Sequence, residues 1–301
     1  MRIGYPCINT GIGCQSGRTF RLRSYSEERL IAAAENNLDC LERILEFNGL
    51  HHLLFFRITS DLIPFASHPV CRFNWQRHFA KRFSEVGRLM KRHRMRISMH
   101  PDQFIVINSP NEKVVENSIR ELAYHASVLD SMGLDSSAKV QIHIGGVYGD
   151  RWQSVARFAR TYATLSADIR GRLVVENDDR NYAVADCLAV SARTGIPVLF
   201  DAFHHQIHNR GESAAEALRL AAPTWKEVDG LPMVDYSQPA PGKAMGSHAA
   251  SIDIGRFRRF LSETNRVDFD VMLEIKDKEE SALRAARAAR HDPRFIAAAS
   301  A

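Results

Sequence analysis

The sequence has no run of 18 or more apolar residues, no CxxC pair, no low-complexity linker and no detectable repeat. The first absence excludes a membrane-spanning helix. The N-terminus, MRIGYPCINTGIG, lacks the apolar core of a signal peptide, so a cytoplasmic location is expected. Five cysteines, Cys7, Cys14, Cys40, Cys71 and Cys187, form an odd set. They read as free thiols rather than as a disulfide framework or a thiolate-held metal cluster. Charge of one sign is also scarce: 40 Lys+Arg against 35 Asp+Glu leaves +5, which tolerates a polyanionic partner without requiring one. Histidine, at 13 residues, is the unusual component.

Short β-rich runs alternate with longer amphipathic ones along the whole chain. The strands are expected at 2–5, 53–58, 96–99, 139–144, 173–175, 197–200, 232–236 and 269–275. Helices are expected near 26–47, 75–92, 112–132, 152–167, 183–193, 212–221, 252–263 and 278–299. Ser26 before Glu27 and Glu28, and the Ser109-Pro110-Asn111-Glu112 run, place capping oxygens and carboxylates at helix starts. Eight strand–helix units in 301 residues indicate an α/β chain closed into a (β/α)8 TIM barrel, one catalytic domain over 1–301. An open doubly wound sheet is the alternative, but neither GxGxxG nor GxxxxGK[ST] follows an expected strand.

Barrel enzymes carry their chemistry at the carboxyl ends of the strands. Here those ends bear Tyr5, Arg57, His100, His143, Glu176, Asp201, Asp235 and Glu274, and the loops beyond add His204 and His248. Taken singly, a buried His or Glu is best explained as a hydrogen-bonded structural residue. Six apolar strands each closed by a ligand-type residue are not explained that way, because buried carboxylates without a cation repel one another. Nitrogen and oxygen donors without thiolate suit Mn(II) first, with Zn(II) or Fe(II) as alternatives. About eight donors exceed the needs of one ion, so two or three divalent ions bridged by Glu176 or Glu274 are expected.

The segments GYPCIN (4–9), LIPFASHP (62–69), SMHPDQF (98–104), HIGGVYGD (143–150), ENDDR (176–180), DAFHHQIHNRG (201–211) and PTWK (223–226) together resemble the ultraviolet damage endonuclease family, from about residue 2 to about 276. The resemblance implies a metal-dependent barrel that incises damaged double-stranded DNA on the 5′ side of photoproducts, leaving a 3′-hydroxyl and a 5′-phosphate, without ATP. It implies His100, His143, Glu176, Asp201, His204, His248 and Glu274 as metal ligands, with His68 as a further site residue. It also implies Tyr5 and Gln103 as the pair that enters the space left by an extruded lesion, with Asn9 a weaker candidate for touching DNA. Extrusion is favoured at a dimer, whose local stacking is already weakened. The chain departs from the family pattern in two places. A lysine, reported as carboxylated, and a histidine on the seventh strand are matched by Met233 and Asp235, which makes Asp235 a candidate ligand. Phe104 stands where a tyrosine is expected and retains only the ring.

Arg57 and Lys226, with Arg18, Arg21, Arg23, Arg180, Arg210 and Lys243, are expected at the mouth, where cations position phosphates. The basic run 81–96 falls at a helix end and strand start facing away from it. Of the three tryptophans only Trp225 warrants a test for base contact. Competing readings are an abasic-site endonuclease, a metal-dependent sugar isomerase of the same barrel type, and a damage sensor that cuts nothing. A monomer without membrane attachment is expected.

Overall fold

The computed structural model describes residues 1–296. Apolar runs of four or five residues form eight strands, β1 (Ile3–Pro6), β2 (Phe55–Ile58), β3 (Arg96–Met99), β4 (Lys139–His143), β5 (Leu173–Glu176), β6 (Val198–Asp201), β7 (Met233–Tyr236) and β8 (Asp270–Leu273). Each pairs in parallel with the next, and β8 closes on β1 through Ile3 opposite Val271. Helices cover the outside: α1 (Glu27–Leu50), α2 (Trp75–His78), α3 (Ala80–Arg92), α4 (Glu112–Ser131), α5 (Arg151–Thr164), α6 (Ala167–Arg172), α7 (Val184–Thr194), α8 (Ala202–Ile207), α9 (Ala214–Ala221), α10 (Ile254–Glu263) and α11 (Glu279–Ala288). The fold is the (β/α)8 barrel, and every strand ends within two residues of its expected position.

Capping fixes the helix starts as the sequence signals. Ser26 accepts from the Arg29 N–H, and Asn111 accepts from those of Lys113 and Val114. The last helix is shorter than expected. It stops at Ala288, and Arg294 then donates to the carbonyls of Leu261, Thr264 and Val267 while pairing with Asp292 at 2.6 Å. The expected helical residues 297–299 lie outside the described residues.

Because side chains alternate across a strand, the barrel has two distinct sets. Ile3, Tyr5, Phe56, Ile97, Val140, Val175, Phe200, Val234 and Val271 face the helices in the main core. Phe55, Val174, Leu199, Met233 and Met272, with Trp225, form a separate apolar floor inside the barrel. Gly4 borders that floor, and only glycine fits, since a Cβ would lie 1.7 Å from the Phe55 carbonyl oxygen. Below the floor Arg96 and Lys139 pair with Asp270 and Asp229, and above it the polar strand ends converge.

One expectation about the thiols is corrected. Cys14, in the loop after β1, is joined to Cys40 on α1 by a disulfide, and Cys7, Cys71 and Cys187 are free. The loop folds back over the buried face of α1, bringing together residues 26 apart that no local spacing connects. Reduced thiols therefore no longer argue for a cytoplasmic location. No helix of the described residues is long and apolar enough to cross a membrane.

Candidate metal centre

Inward-facing residues at the strand ends, with His204 on α8 and His248 in the segment after β7, place four carboxylates and four imidazoles around the barrel mouth. Three groups of donor atoms lie within 4.8 Å of one another: His100, His143 and Glu176; Glu176, Asp201 and His204; Asp201, Asp235 and Glu274. Glu176 belongs to the first two groups and Asp201 to the last two, so the three are contiguous. Glu176 Oε2 lies 3.5 Å from His100 Nε2 and 4.0 Å from His143 Nε2, and Glu176 Oε1 lies 3.2 Å from His204 Nδ1. His204 is delivered by α8, whose first turn is capped by Asp201 itself, Oδ1 accepting from the His204 N–H at 2.6 Å. One tight turn thus presents two donors. His248, beyond β7, has Nδ1 at 2.7 Å from the Glu274 carbonyl and 2.8 Å from Ser237 Oγ, which leaves Nε2 facing Glu274 Oε2 at 3.9 Å. A backbone-anchored Nδ1 with a free Nε2 is the usual arrangement of a metal-ligating histidine.

Electrostatics show what this cluster lacks. Burial, aided by Glu176 and Glu274, pushes the Asp201 carboxyl up to about 7 against the pull of His204. Burial also lifts Asp235 well above the carboxylate range despite Arg57 beside it. Burial opposes ionisation of Glu176 too, but His143, then His204 and His100, outweigh it and hold the carboxyl low. For His204, Asp201 and Glu176 overcome burial and push the imidazole up to about 11. Burial dominates at His100, pressing it down to about 4. Asp201 Oδ2 and Asp235 Oδ1 are buried with no hydrogen-bond partner. Partnerless carboxylate oxygens beside imidazole nitrogens fit divalent cations, which want such donors and relieve such repulsion.

The cluster opens into a cavity of about 630 Å³ whose walls include His100, His143, His248 and Glu274, with Gln103 and Phe104 at its lip. Phe104 is 75% exposed. Other expected site residues are placed differently. Tyr5 is wholly buried; its position on β1 turns it toward α1, where its hydroxyl bonds Asn48 at 2.7 Å and accepts from Asn9 at 2.8 Å. Asn9 is buried as well, its Oδ1 accepting from the N–H groups of Gly11 and Ile12. The same loop is pinned by Glu279, which accepts from the Thr10 and Gly11 amides. Both side chains are thus buried and engaged within the fold.

Arg57 is not a surface cation. It points into the barrel, its Nη2 donating to Asp235 at 2.7 Å and to Gln141 at 2.8 Å while Nη1 pairs with Glu274. Lys226 lies in the segment between α9 and β7, which enters the barrel from below, so it sits at the end opposite the mouth. Trp225 beside it fills the floor, its Nε1 donating to the Val198 carbonyl. His68 is exposed and belongs to none of the three donor groups; its Nδ1 accepts from the Val70 N–H.

The profile of a family described as UV-endonuclease UvdE matches residues 1–293. The chain belongs to this UV-endonuclease family. A relative named UV DNA damage endonuclease from Clostridium perfringens is 38% identical over 286 residues, covering 94% of this chain and 69% of the relative. Another of the same name from Bacillus mycoides is 32% identical, covering 93% and 91%. The crystal structure of SacUVDE superposes with a TM-score of 0.94 at 46% identity, covering 98% of this chain and all of that one. D-psicose 3-epimerase from Clostridium cellulolyticum H10 reaches a TM-score of 0.55 at 13% identity, covering 82% and 90%, which shows the shared barrel alone.

Within this family member, several residues at the mouth had no place in the sequence reading. Gln141 donates to Glu176 at 2.8 Å and to Asp235 at 2.7 Å. Its signal was a polar residue two positions before His143, on the face that alternation assigns to Lys139, Gln141 and His143. Lys276 and Lys278 border the cavity just after β8, a mouth position readable from the strand's direction. Met233 is part of the apolar floor and offers no donor.

Proposed function

We propose that this chain hydrolyses the phosphodiester immediately 5′ of ultraviolet photoproducts in double-stranded DNA, without ATP. Cleaving the P–O3′ bond leaves a 3′-hydroxyl on one fragment and a 5′-phosphate on the lesion-bearing one. The observation that carries this reading is the contiguous set of donor groups sharing Glu176 and Asp201, at the mouth of a chain in the UV-endonuclease family. His100, His143, Glu176, Asp201, His204, His248 and Glu274 would hold divalent ions, Mn(II) first among them. Such ions supply Lewis acidity toward the phosphoryl group and stabilisation of the departing oxygen.

The chain's own residues do the rest. The Glu274 carbonyl and Ser237 fix the ring of His248, and Asp201 fixes the turn that carries His204. Lys276 and Lys278 position phosphates at the cavity edge, as cations do without reading sequence. Gln103 and Phe104, at the lip, fill the gap left when the dimer leaves the stack, with the exposed ring restoring base stacking. The relatives' names favour photoproducts over abasic sites as substrate, and an open cavity flanked by an exposed aromatic favours a polymer over a free sugar.

The test is a nicking assay on supercoiled plasmid, irradiated and untreated, with Mn(II) and with chelator. Nicking confined to irradiated DNA plus metal is expected. Binding to irradiated DNA with no strand break under any metal would sink the reading in favour of a sensor, and equal cutting of untreated DNA would remove the lesion specificity.

A further inference from the structure

The three donor groups are not alike. Two contain imidazoles, and the third, Asp201, Asp235 and Glu274, is all carboxylate. The third is also the one with a fixed cation inside it. Arg57 has a side chain only 4% exposed and spans Asp235 and Glu274, one guanidinium nitrogen on each. Asp235 Oδ2 is further engaged by Gln141 Nε2, so two donors already hold that oxygen. A guanidinium keeps its charge in any protein environment, and its fork matches paired carboxylates. A divalent ion placed among the same oxygens would face that charge at close range in a buried setting where repulsion is poorly screened.

We infer that Arg57 fills the third cation position of this centre, that Asp235 is its counter-ion rather than a metal ligand, and that the chain binds two divalent ions, not three. The inference rests on the metal-dependent reading above. It assigns the two ions to the histidine-containing groups joined by Glu176, and makes Arg57, Gln141 and Asp235 a positioning network. Through Gln141, which touches both Asp235 and Glu176, that network sets the orientation of the shared carboxylate. Asp235 Oδ1 is the oxygen left free, and the experiment asks whether it ligates.

Metal-free protein is titrated with Mn(II), and free ion is counted from its paramagnetic resonance signal, with circular dichroism confirming the fold of each variant. Two ions are expected for the wild type and two for Asp235→Asn, which keeps shape and removes only the charge. Arg57→Met, which empties the position, is expected to take up a third. Three ions in the wild type, or one fewer in Asp235→Asn than in the wild type, overturns the inference and makes Asp235 a ligand. A folded Arg57→Met that still binds two also overturns it, since the guanidinium is then not what excludes the third. If Arg57→Met does not fold, the wild-type and Asp235→Asn counts decide alone. No bound ion in any form defeats the metal-dependent reading itself, an outcome distinct from all of these.

Discussion

The barrel holds two nests of buried charge, one under the apolar floor and one above it, and they are built on opposite plans. Below, Asp270 meets Arg96 at 3.2 Å and Arg2 at 3.1 Å, and Asp229 meets Lys139 at 2.5 Å. Arg96 also donates to the carbonyls of Leu231 and Asp229. Each acid there has its own fixed cation. Above, among the described residues, Arg57 is the one arginine or lysine paired with the four carboxylates; it reaches only Asp235 and Glu274, and two of the carboxylate oxygens have no partner. A nest with its countercharge built in is a structural joint. One deficient in countercharge is arranged for cations that come from solution.

Mutations at the two ends should therefore fail in different ways. Glu176→Gln removes the carboxylate common to two donor groups, and nicking of irradiated plasmid should fall by about 10³-fold or more with a thermal midpoint near that of the wild type. Loss of folding instead would place Glu176 with the structural acids. Asp270→Asn should do the reverse. It leaves Arg96 buried without its carboxylate, costing about 3 kcal/mol in urea denaturation, while the folded fraction nicks at the normal rate. Phe104→Ala, at the lip, should leave stability unchanged and cut the preference for irradiated over untreated plasmid by about tenfold, the worth of one stacked base.

The histidine at the mouth supplies a pH test. With its imidazole raised to about 11 in the metal-free protein, His204 contributes stability that is complete below its ordinary 6.5 and lost as pH rises through about 11. In chelator, the advantage of the wild type over His204→Asn in chemical denaturation should shrink across that window. Since a metal-ligating imidazole must be neutral, Mn(II) binding at pH 8 should release about one proton, read by calorimetry in buffers of different ionisation enthalpy. An advantage that grows with pH would contradict the charged form. Smallest of all, Lys226→Ala, on the far side from the mouth, should shift neither nicking nor salt dependence, with stability changed by about 0.5 kcal/mol at most.

Much of this was legible in the chain. Strands such as RISMH and VQIH announce themselves because an apolar run ends abruptly in a ligand-type residue, and the barrel follows from counting such runs. The donors that the structure brings together are strand-end residues or, like His204 and His248, lie in the loop just beyond. What was not legible is which way a strand-end side chain faces when its neighbours give no parity. Tyr5 and Arg57 were both read as mouth residues; Tyr5 turns toward α1 instead, whereas Arg57 does line the mouth cavity but is engaged by Asp235 and Glu274 rather than free for a phosphate. Lys226 was misplaced although the expected helix at 212–221 and strand at 232–236 already put it in a helix-to-strand loop, which lies at the end of the barrel opposite the mouth. The helix α8 was missed because six residues carry too little periodicity, although an aspartate three before a histidine is a capping signal in plain view.

The greasy plug formed by Phe55, Val174, Leu199, Met233 and Met272 keeps these two nests apart. Because no ion pair among the described residues crosses it, the foundations of this molecule can be rebuilt for heat tolerance or expression without retuning the chemistry overhead. An engineer who wants a sturdier scaffold should work from beneath, and one who wants a different reaction should leave the basement alone.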